Sequence, residues 1–376
     1  MSRPRVAYVA HSIDPRRGGM ELVSARLLER LAQFVDLEVV AGDGLETLPD
    51  GIRRSRVPIP TRPSIARLLA FDAIASIRLR AVRRRCDLVH TCGAVAHARA
   101  DLVTMHLSHA EVVAAQGGLR PPGRRGVAGA VASLRRRLAL ALERWALASG
   151  RTRLVAAVSS ADERALAARY PETPTTLIEN GFDAERFEFV DRRERDATSP
   201  LQVIVLAGDF ERKGVPLAIQ GVAATSRCTL RVLGAGDLDA MRLLAHRLGA
   251  EGRVVLAGHV PDVASELDGA DVVLSCSAHE SFGLSMVEGA ATGCAVVCTD
   301  TGVGPELCED AGDGPGGIVV AGQVSAIAAA LERLDGDRAV CRAMGTVAAA
   351  AARRFSWDHM VEQTLAAYEQ LLGGSR

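Results

Sequence analysis

The chain has 376 residues, 48 % apolar and 24 % charged, the make-up of a globular protein with room for two or three domains rather than of a disordered or fibrous one. Its 45 basic and 45 acidic residues cancel overall, yet residues 51–150 hold 18 arginines against five acids and residues 251–350 hold four basic residues against 15 acids, so one part is basic and the other acidic. Aromatic residues make up only 3 %, which argues against a sugar-stacking lectin or a base-stacking single-strand binder.

From the start, Met1-Ser2-Arg3-Pro4-Arg5 leads into only five apolar residues before His11, too short a run for a signal peptide. Short β-rich runs then alternate with helical patterns, the signature of parallel sheets covered by helices on both faces. Strands are expected at 6–10, 37–41, 87–91, 102–106, 154–159 and 176–180, and again at 203–207, 230–234, 254–258, 272–277, 295–299 and 318–321. Two doubly wound domains follow. Between them, at 187–200, apolar patterning stops and Asp191, Arg192, Arg193, Glu194, Arg195 and Asp196 crowd together before Pro200, which marks a linker. The expected organisation is a first domain over 1–186, a linker over 187–200, a second domain over 201–354 and a final helical segment over 355–376. In that last helix Trp357, Met360, Val361, Leu365, Tyr368 and Leu371 fall at helical spacing before Gly373-Gly374, so it should bury a stripe against the first domain. The longest uncharged stretch, 314–331, is broken by Gly, Pro, Gln and Ser and splits better into a strand and a helix than into a membrane span. Eight cysteines, none in a CxxC pair and several within apolar runs, read as buried reduced thiols and hence a cytoplasmic protein.

In open parallel sheets ligands bind beyond the carboxyl ends of the strands. The most informative turn there is Ala278-His279-Glu280-Ser281-Phe282-Gly283-Leu284-Ser285-Met286-Val287-Glu288, a loop carboxylate, a helix start and a second carboxylate one turn inside. Exposed N–H groups at a helix start bind phosphate, so a diphosphate held there would carry a hydroxylated group to each carboxylate, the shape of a nucleotide sugar. The plain alternative is that Glu280 caps the helix and Glu288 is solvated. A second turn, Gly208-Asp209-Phe210-Glu211-Arg212-Lys213-Gly214, contains the only lysine of the chain, in a surface turn where the helix dipole disfavours cations unless an anion binds. Its compact ammonium suits a point contact on a diphosphate and Arg212 a two-pronged one. Arg16-Arg17-Gly18-Gly19-Met20-Glu21 follows the first strand with paired glycines that let backbone approach a ligand, although the dinucleotide fingerprint GxGxxG is absent.

These features, with Asn180-Gly181-Phe182-Asp183, Thr292-Gly293 to Asp300, Gly302 to Glu306 and Phe355-Ser356-Trp357, closely resemble the retaining glycosyltransferases of family 4. The resemblance is specific from Val203 onward and looser before Leu154. It implies a GT-B fold of two Rossmann-like domains facing across a cleft, a nucleotide-diphosphate sugar as donor, a hydroxyl acceptor on the first domain, transfer with retained configuration, and neither cofactor nor metal. By matching position, Arg212 and Lys213 would hold the diphosphate, Glu280 would face the donor sugar, Glu288 the ribose, and Gly18 and Gly19 the diphosphate. Phe282, Gly283, Leu284, Ser285 and Glu306 would complete the donor site, and His106 would lie near the reacting sugar. Two positions depart from the family pattern: Ala295 stands where a proline is usual, and Gly302-Val303-Gly304 replaces a double glycine near Glu306. Asp237-Leu238-Asp239 resembles a metal-binding DxD, but its place at a helix start reads as capping. A nicotinamide oxidoreductase would need the missing glycine fingerprint, and a catalytically dead sugar-nucleotide binder should have lost Lys213, Glu280 or Glu288. The basic segment, with Arg78, Arg80, Arg83, Arg84, Arg85, Arg120, Arg124, Arg125, Arg135, Arg136 and Arg137, is short of local acids. It points to an anionic or membrane-associated acceptor, a protein peripheral at the membrane surface, and no nucleic-acid partner.

Overall fold

The computed structural model describes residues 3–60, 64–95, 98–120, 126–148, 150–192, 195–196, 198–309 and 312–373. Arg193 and Glu194 of the expected linker, Arg124 and Arg125 of the basic segment, and Gly374 lie outside the described residues. The chain divides into two units, the first ending at Gly181 and resuming at Trp357, the second running from Phe182 to Ser356.

The first unit contains β1 (Arg5–Ala10), α1 (Gly19–Leu31), β2 (Asp36–Ala41), β3 (Arg53–Arg56), α2 (Ser64–Val82), β4 (Leu88–Cys92), β5 (Ala100–Met105), α3 (His109–Ala115), α4 (Gly126–Leu147), β6 (Thr152–Ala157), α5 (Ser160–Arg169) and β7 (Thr175–Leu177). The strands form one parallel sheet in the order β3-β2-β1-β4-β5-β6-β7. Central strands such as β1 and β4 are buried along nearly their whole length, and β1 reads as an apolar run from Val6 to Ala10 because both of its faces are covered. The strand β3, Arg-Arg-Ser-Arg, was not expected: it lies at the sheet edge and is largely exposed, so no apolar alternation announces it.

The second unit contains β8 (Gln202–Ala207), α6 (Val215–Ala223), β9 (Thr229–Gly234), α7 (Leu238–Arg247), β10 (Val254–Gly258), α8 (Val263–Asp268), β11 (Val272–Ser275), α9 (Leu284–Ala291), β12 (Ala295–Thr299), α10 (Gly304–Cys308), β13 (Gly317–Val320), α11 (Val324–Gly336) and α12 (Arg338–Ala352). Its parallel sheet has the order β10-β9-β8-β11-β12-β13. The last helix, α13 (Trp357–Gly373), packs Trp357, Met360, Val361, Tyr368 and Leu371 into the first unit's core with Tyr8 and Leu28. There Tyr368 Oη and Thr104 Oγ1 flank the buried His90 ring at 2.8 and 2.7 Å.

The charged run after Phe182 belongs to the second unit rather than forming a solvated linker. Arg192 is buried, and its guanidinium donates to the carbonyls of Ala270 at 2.7 Å, Leu267 at 3.0 Å and Thr292. A run of charges reads as solvent-facing in sequence, but one planar guanidinium carries enough donors to satisfy several buried carbonyls. The basic segment is also better partnered than its composition suggests. Arg83 pairs with Asp101, while Arg85 and Arg67 reach acids outside the segment, Glu38 and Asp43. All eight cysteines are free thiols, and no helix among the described residues is long and apolar enough to cross a membrane.

Candidate functional site

In the second unit β8 ends in the turn from Gly208 to Gly214. Phe210 is buried beneath it, Asp209 accepts from the Arg212 amide through its carboxylate at 3.2 Å, and its carbonyl accepts from the Lys213 amide at 3.0 Å. The turn closes at Gly214, the N-cap of α6, with φ +68° and no room for a side chain, since a Cβ there would lie 2.0 Å from the Cys276 carbonyl oxygen. This contact presses the turn against the chain segment that follows β11. Gly214→Ala would combine left-handed strain with a backbone clash, and is expected to lower stability by about 3 kcal/mol or more. An unchanged urea midpoint would contradict that packing.

The adjoining segment presents Glu280, and the structure brings Lys213 to it. Lys213 Nζ lies 2.6 Å from Glu280 Oε1, the Ser277 hydroxyl donates to the same oxygen at 2.6 Å, and Arg212 Nη1 stands 3.9 Å away. The Lys213 side chain is only 15 % exposed, so the expectation of a free surface-turn lysine is corrected: the turn is superficial, but its ammonium points inward onto a buried carboxylate. Arg212 remains 37 % exposed and can turn toward a ligand. Burial alone would push the Glu280 carboxyl up; the Lys213 charge, the Lys213 and Ser277 hydrogen bonds and Arg212 outweigh it and hold the group below its ordinary value. Ser277 in turn accepts through its carbonyl from Thr299 Oγ1 at 2.6 Å. Sequence reading missed Ser277 as the positioning hydroxyl; its only signal was a serine three residues before the carboxylate.

Glu280 does not cap the following helix. Gly283, at φ +94°, is the N-cap of α9, and no side chain closes that end. Phe282 is buried edge-on against Phe355 at 5.3 Å, and its carbonyl accepts from the Val303 amide at 2.8 Å. Leu284 and Ser285 open α9, both half-buried, with Glu288 one turn on. Glu288 is half-buried rather than solvated, and burial, opposed by Arg186 and reinforced by Asp183, raises its carboxyl to about 7. Glu306, on α10, pairs with Arg354. Asp237 caps α7 by accepting from the Ala240 amide at 3.0 Å, and Asp239 pairs with Arg242 at 2.8 Å. No cluster of three metal-ligating side chains is present among the described residues.

The first unit carries the remaining predicted residues. Gly18 and Gly19 open α1 and are exposed. His106 directly follows β5, and burial lowers its imidazole to about 4, so the ring is neutral near pH 7.

Residues 17–186 match the family model described as Glycosyltransferase Family 4, and residues 201–337 match that described as Glycosyl transferases group 1. The chain is 34 % identical to the lipopolysaccharide core biosynthesis glycosyltransferase LpsE of Rhizobium meliloti over 44 % of its own length and 48 % of that protein. It is 27 % identical to a D-inositol 3-phosphate glycosyltransferase of Acidothermus cellulolyticus, over 99 % of this chain and 91 % of that one. The first curated relatives are matched over about half of their length or less. Among solved structures, sucrose-phosphate synthase from Thermosynechococcus elongatus superposes with a TM-score of 0.76 at 20 % identity, covering 99 % of this chain and 100 % of that one. Anabaena HepE in complex with UDP and glucose superposes with a TM-score of 0.69 at 19 % identity, covering 98 % and 100 %.

Proposed function

From the premise that the chain belongs to glycosyltransferase family 4 and has the GT-B fold, we propose that it transfers a hexose from a nucleotide-diphosphate sugar to an acceptor hydroxyl, retaining the anomeric configuration and using no metal. The observation that carries the reading is the ammonium of Lys213 on Glu280, with Arg212 alongside, at a turn that leads into α6 and a loop that leads into α9. A diphosphate entering there would meet Arg212, Lys213 and the α9 amides, so the charge on the leaving nucleotide is offset by fixed cations and dipoles rather than by an ion. Glu280 would face the donor sugar, Glu288 the ribose, and Gly18, Gly19 and the neutral His106 would serve from the first unit.

The acceptor we propose is anionic or membrane-associated. Arg80, Arg84, Arg135 and Arg137 are exposed, and on α4 the exposed Val127, Val131 and Leu134 fall at spacings of four and three, an apolar stripe running into the arginines. The free thiols accord with a reducing, cytoplasmic setting, with the protein peripheral at the membrane surface.

Release of nucleotide from a panel of nucleotide sugars, read by mass spectrometry, tests the activity, and the anomeric proton coupling of the product tests retention. Turnover is expected to persist in excess chelator. Abolition by chelator with rescue by manganese would assign the leaving-group role to a metal instead.

A further inference from the structure

The eight thiols of the chain are not equally placed. Cys298, near the end of β12, and Cys308, the last residue of α10, put their sulfurs 3.8 Å apart, and among the described residues no other two cysteine sulfurs are in such contact. A Cβ at Gly304 would lie 2.6 Å from Cys298 Sγ and one at Gly317 2.8 Å from Cys308 Sγ, so both sulfurs rest on bare backbone there. Cys298 is wholly buried, whereas Cys308 keeps 7 % of its surface exposed next to the exposed Glu309, so a small oxidant meets Cys308 first. The contact with Cys308, then burial, push the Cys298 thiol well above its ordinary value, and it stays protonated near pH 7.

The residues between the two cysteines, 299–307, touch the loop that carries Glu280. A Cβ at Gly302 would lie 2.2 Å from the Phe282 carbonyl oxygen, and the Val303 amide donates to that carbonyl at 2.8 Å. Phe282 immediately precedes Gly283, the N-cap of α9. The sulfurs of a disulfide stand about 2.05 Å apart. Closing the gap from 3.8 Å therefore draws the end of the short α10 and the end of β12 together, and the 302–303 backbone that rests on Phe282 lies between them.

We propose that Cys298 and Cys308 form an oxidative modification site, converted to a disulfide by a peroxide and returned to thiols by a dithiol, and that the bond loosens the start of α9. The Cys308 sulfur attacks the oxygen–oxygen bond of the peroxide, giving a sulfenic acid and an alcohol, or water where the oxidant is hydrogen peroxide. The Cys298 sulfur then displaces the sulfenic oxygen, which leaves as water with the Cys298 proton. Two thiols together lose two electrons and two protons, and the peroxide takes them up. That the disulfide slows transfer rests on the glycosyl-transfer reading above; the formation of the bond does not.

The test exposes the reduced full chain to hydrogen peroxide and reads it in three ways. Peptide mass mapping is expected to show a Cys298–Cys308 bond, with the free thiols falling by two from eight. Hydrogen exchange over residues 282–288 should rise in the oxidised chain and return with dithiothreitol. Nucleotide release from a nucleotide sugar should fall by about tenfold or more and recover likewise, since small displacements beside a reacting centre are costly. Cys308→Ala, or Cys308→Ser should the alanine variant not fold, is expected to keep its exchange and turnover under peroxide, and Cys298→Ala to form no bond. Cys86→Ala, which removes the least buried thiol, should respond as the wild type does. The inference is overturned by the absence of the 298–308 bond, by a bond to another cysteine in its place, by a bond that leaves exchange or an active chain's turnover unchanged, or by peroxide sensitivity that survives without Cys308. Mapping and exchange need no turnover, so a chain that forms the bond and loosens α9 but releases nucleotide from no nucleotide sugar refutes the transferase reading alone.

Discussion

Lys213→Ala is expected to cut turnover ten- to a hundredfold and, in addition, to weaken the fold. On the proposed reading the catalytic part would be the loss of a charge-assisted hydrogen bond to the leaving diphosphate, about 1.5–3 kcal/mol. The structural part arises because Lys213 Nζ is 2.6 Å from Glu280 Oε1 and both side chains are largely shielded from water. Removing one partner of such a pair leaves a buried charge uncompensated, a cost of about 3–5 kcal/mol. Here Ser277 still donates to Glu280 and Arg212 can close its 3.9 Å gap, so the lower end is expected. Lys213→Arg should recover part of the activity but not the fit, since a planar guanidinium cannot occupy the ammonium's place at 2.6 Å. The double variant Lys213→Ala with Glu280→Gln separates the two effects. It should regain stability over Lys213→Ala while remaining as inactive, as read by urea unfolding beside nucleotide release. A Lys213→Ala protein with wild-type turnover would remove the phosphate assignment.

How far the sequence revealed this site depended on which physical signals survive in one dimension. The apolar central strands were legible because burial on both faces leaves no polar alternation, whereas β3, an edge strand of arginines and a serine, leaves no such trace. Lys213 stood out against a chain that otherwise uses arginine, and Glu280 through its loop and helix context. Their direct contact was not legible, because it depends on Gly214 lying against Cys276, some sixty residues away in sequence. Ser277 was missed for the converse reason: a serine near a strand end is unremarkable until its hydroxyl is seen on the Glu280 oxygen. Arg192 shows the opposite failure, since a charge among charges looked like linker while its side chain is satisfied by buried carbonyls.

Exchanging each of the two site carboxylates for its amide is expected to have opposite consequences, because their environments push them in opposite directions. Glu280 is held below its ordinary value by Lys213 against the effect of burial, so its contribution to stability is present above the normal glutamate range and lost as pH falls below it. Glu288 is raised to about 7 by burial, so the folded protein favours its protonated form, and stability from this group is present at low pH and lost as pH rises from about 4.5 to about 7. Glu288→Gln should therefore be more stable than the wild type at pH 8, by at most about 3 kcal/mol, and nearly equal to it at pH 4.5. Glu280→Gln should be less stable at pH 8, with the difference shrinking only in acid. For function the order reverses. On the proposed assignment an ionised Glu288 would accept from ribose hydroxyls, so Glu288→Gln should weaken nucleoside-diphosphate binding at pH 8 and much less at pH 6, where the wild-type carboxyl is mostly protonated. Glu280→Gln should leave that binding nearly intact and slow transfer instead, since on the same proposal the lost charge would face the sugar rather than the nucleoside. Calorimetry at both pH values with the nucleoside diphosphate that turnover releases, beside thermal unfolding of the same samples, reads all four quantities. Equal losses of nucleoside-diphosphate affinity in the two variants, or a Glu288→Gln protein less stable than the wild type at pH 8, would show that the two carboxylates do not divide sugar from ribose in this way.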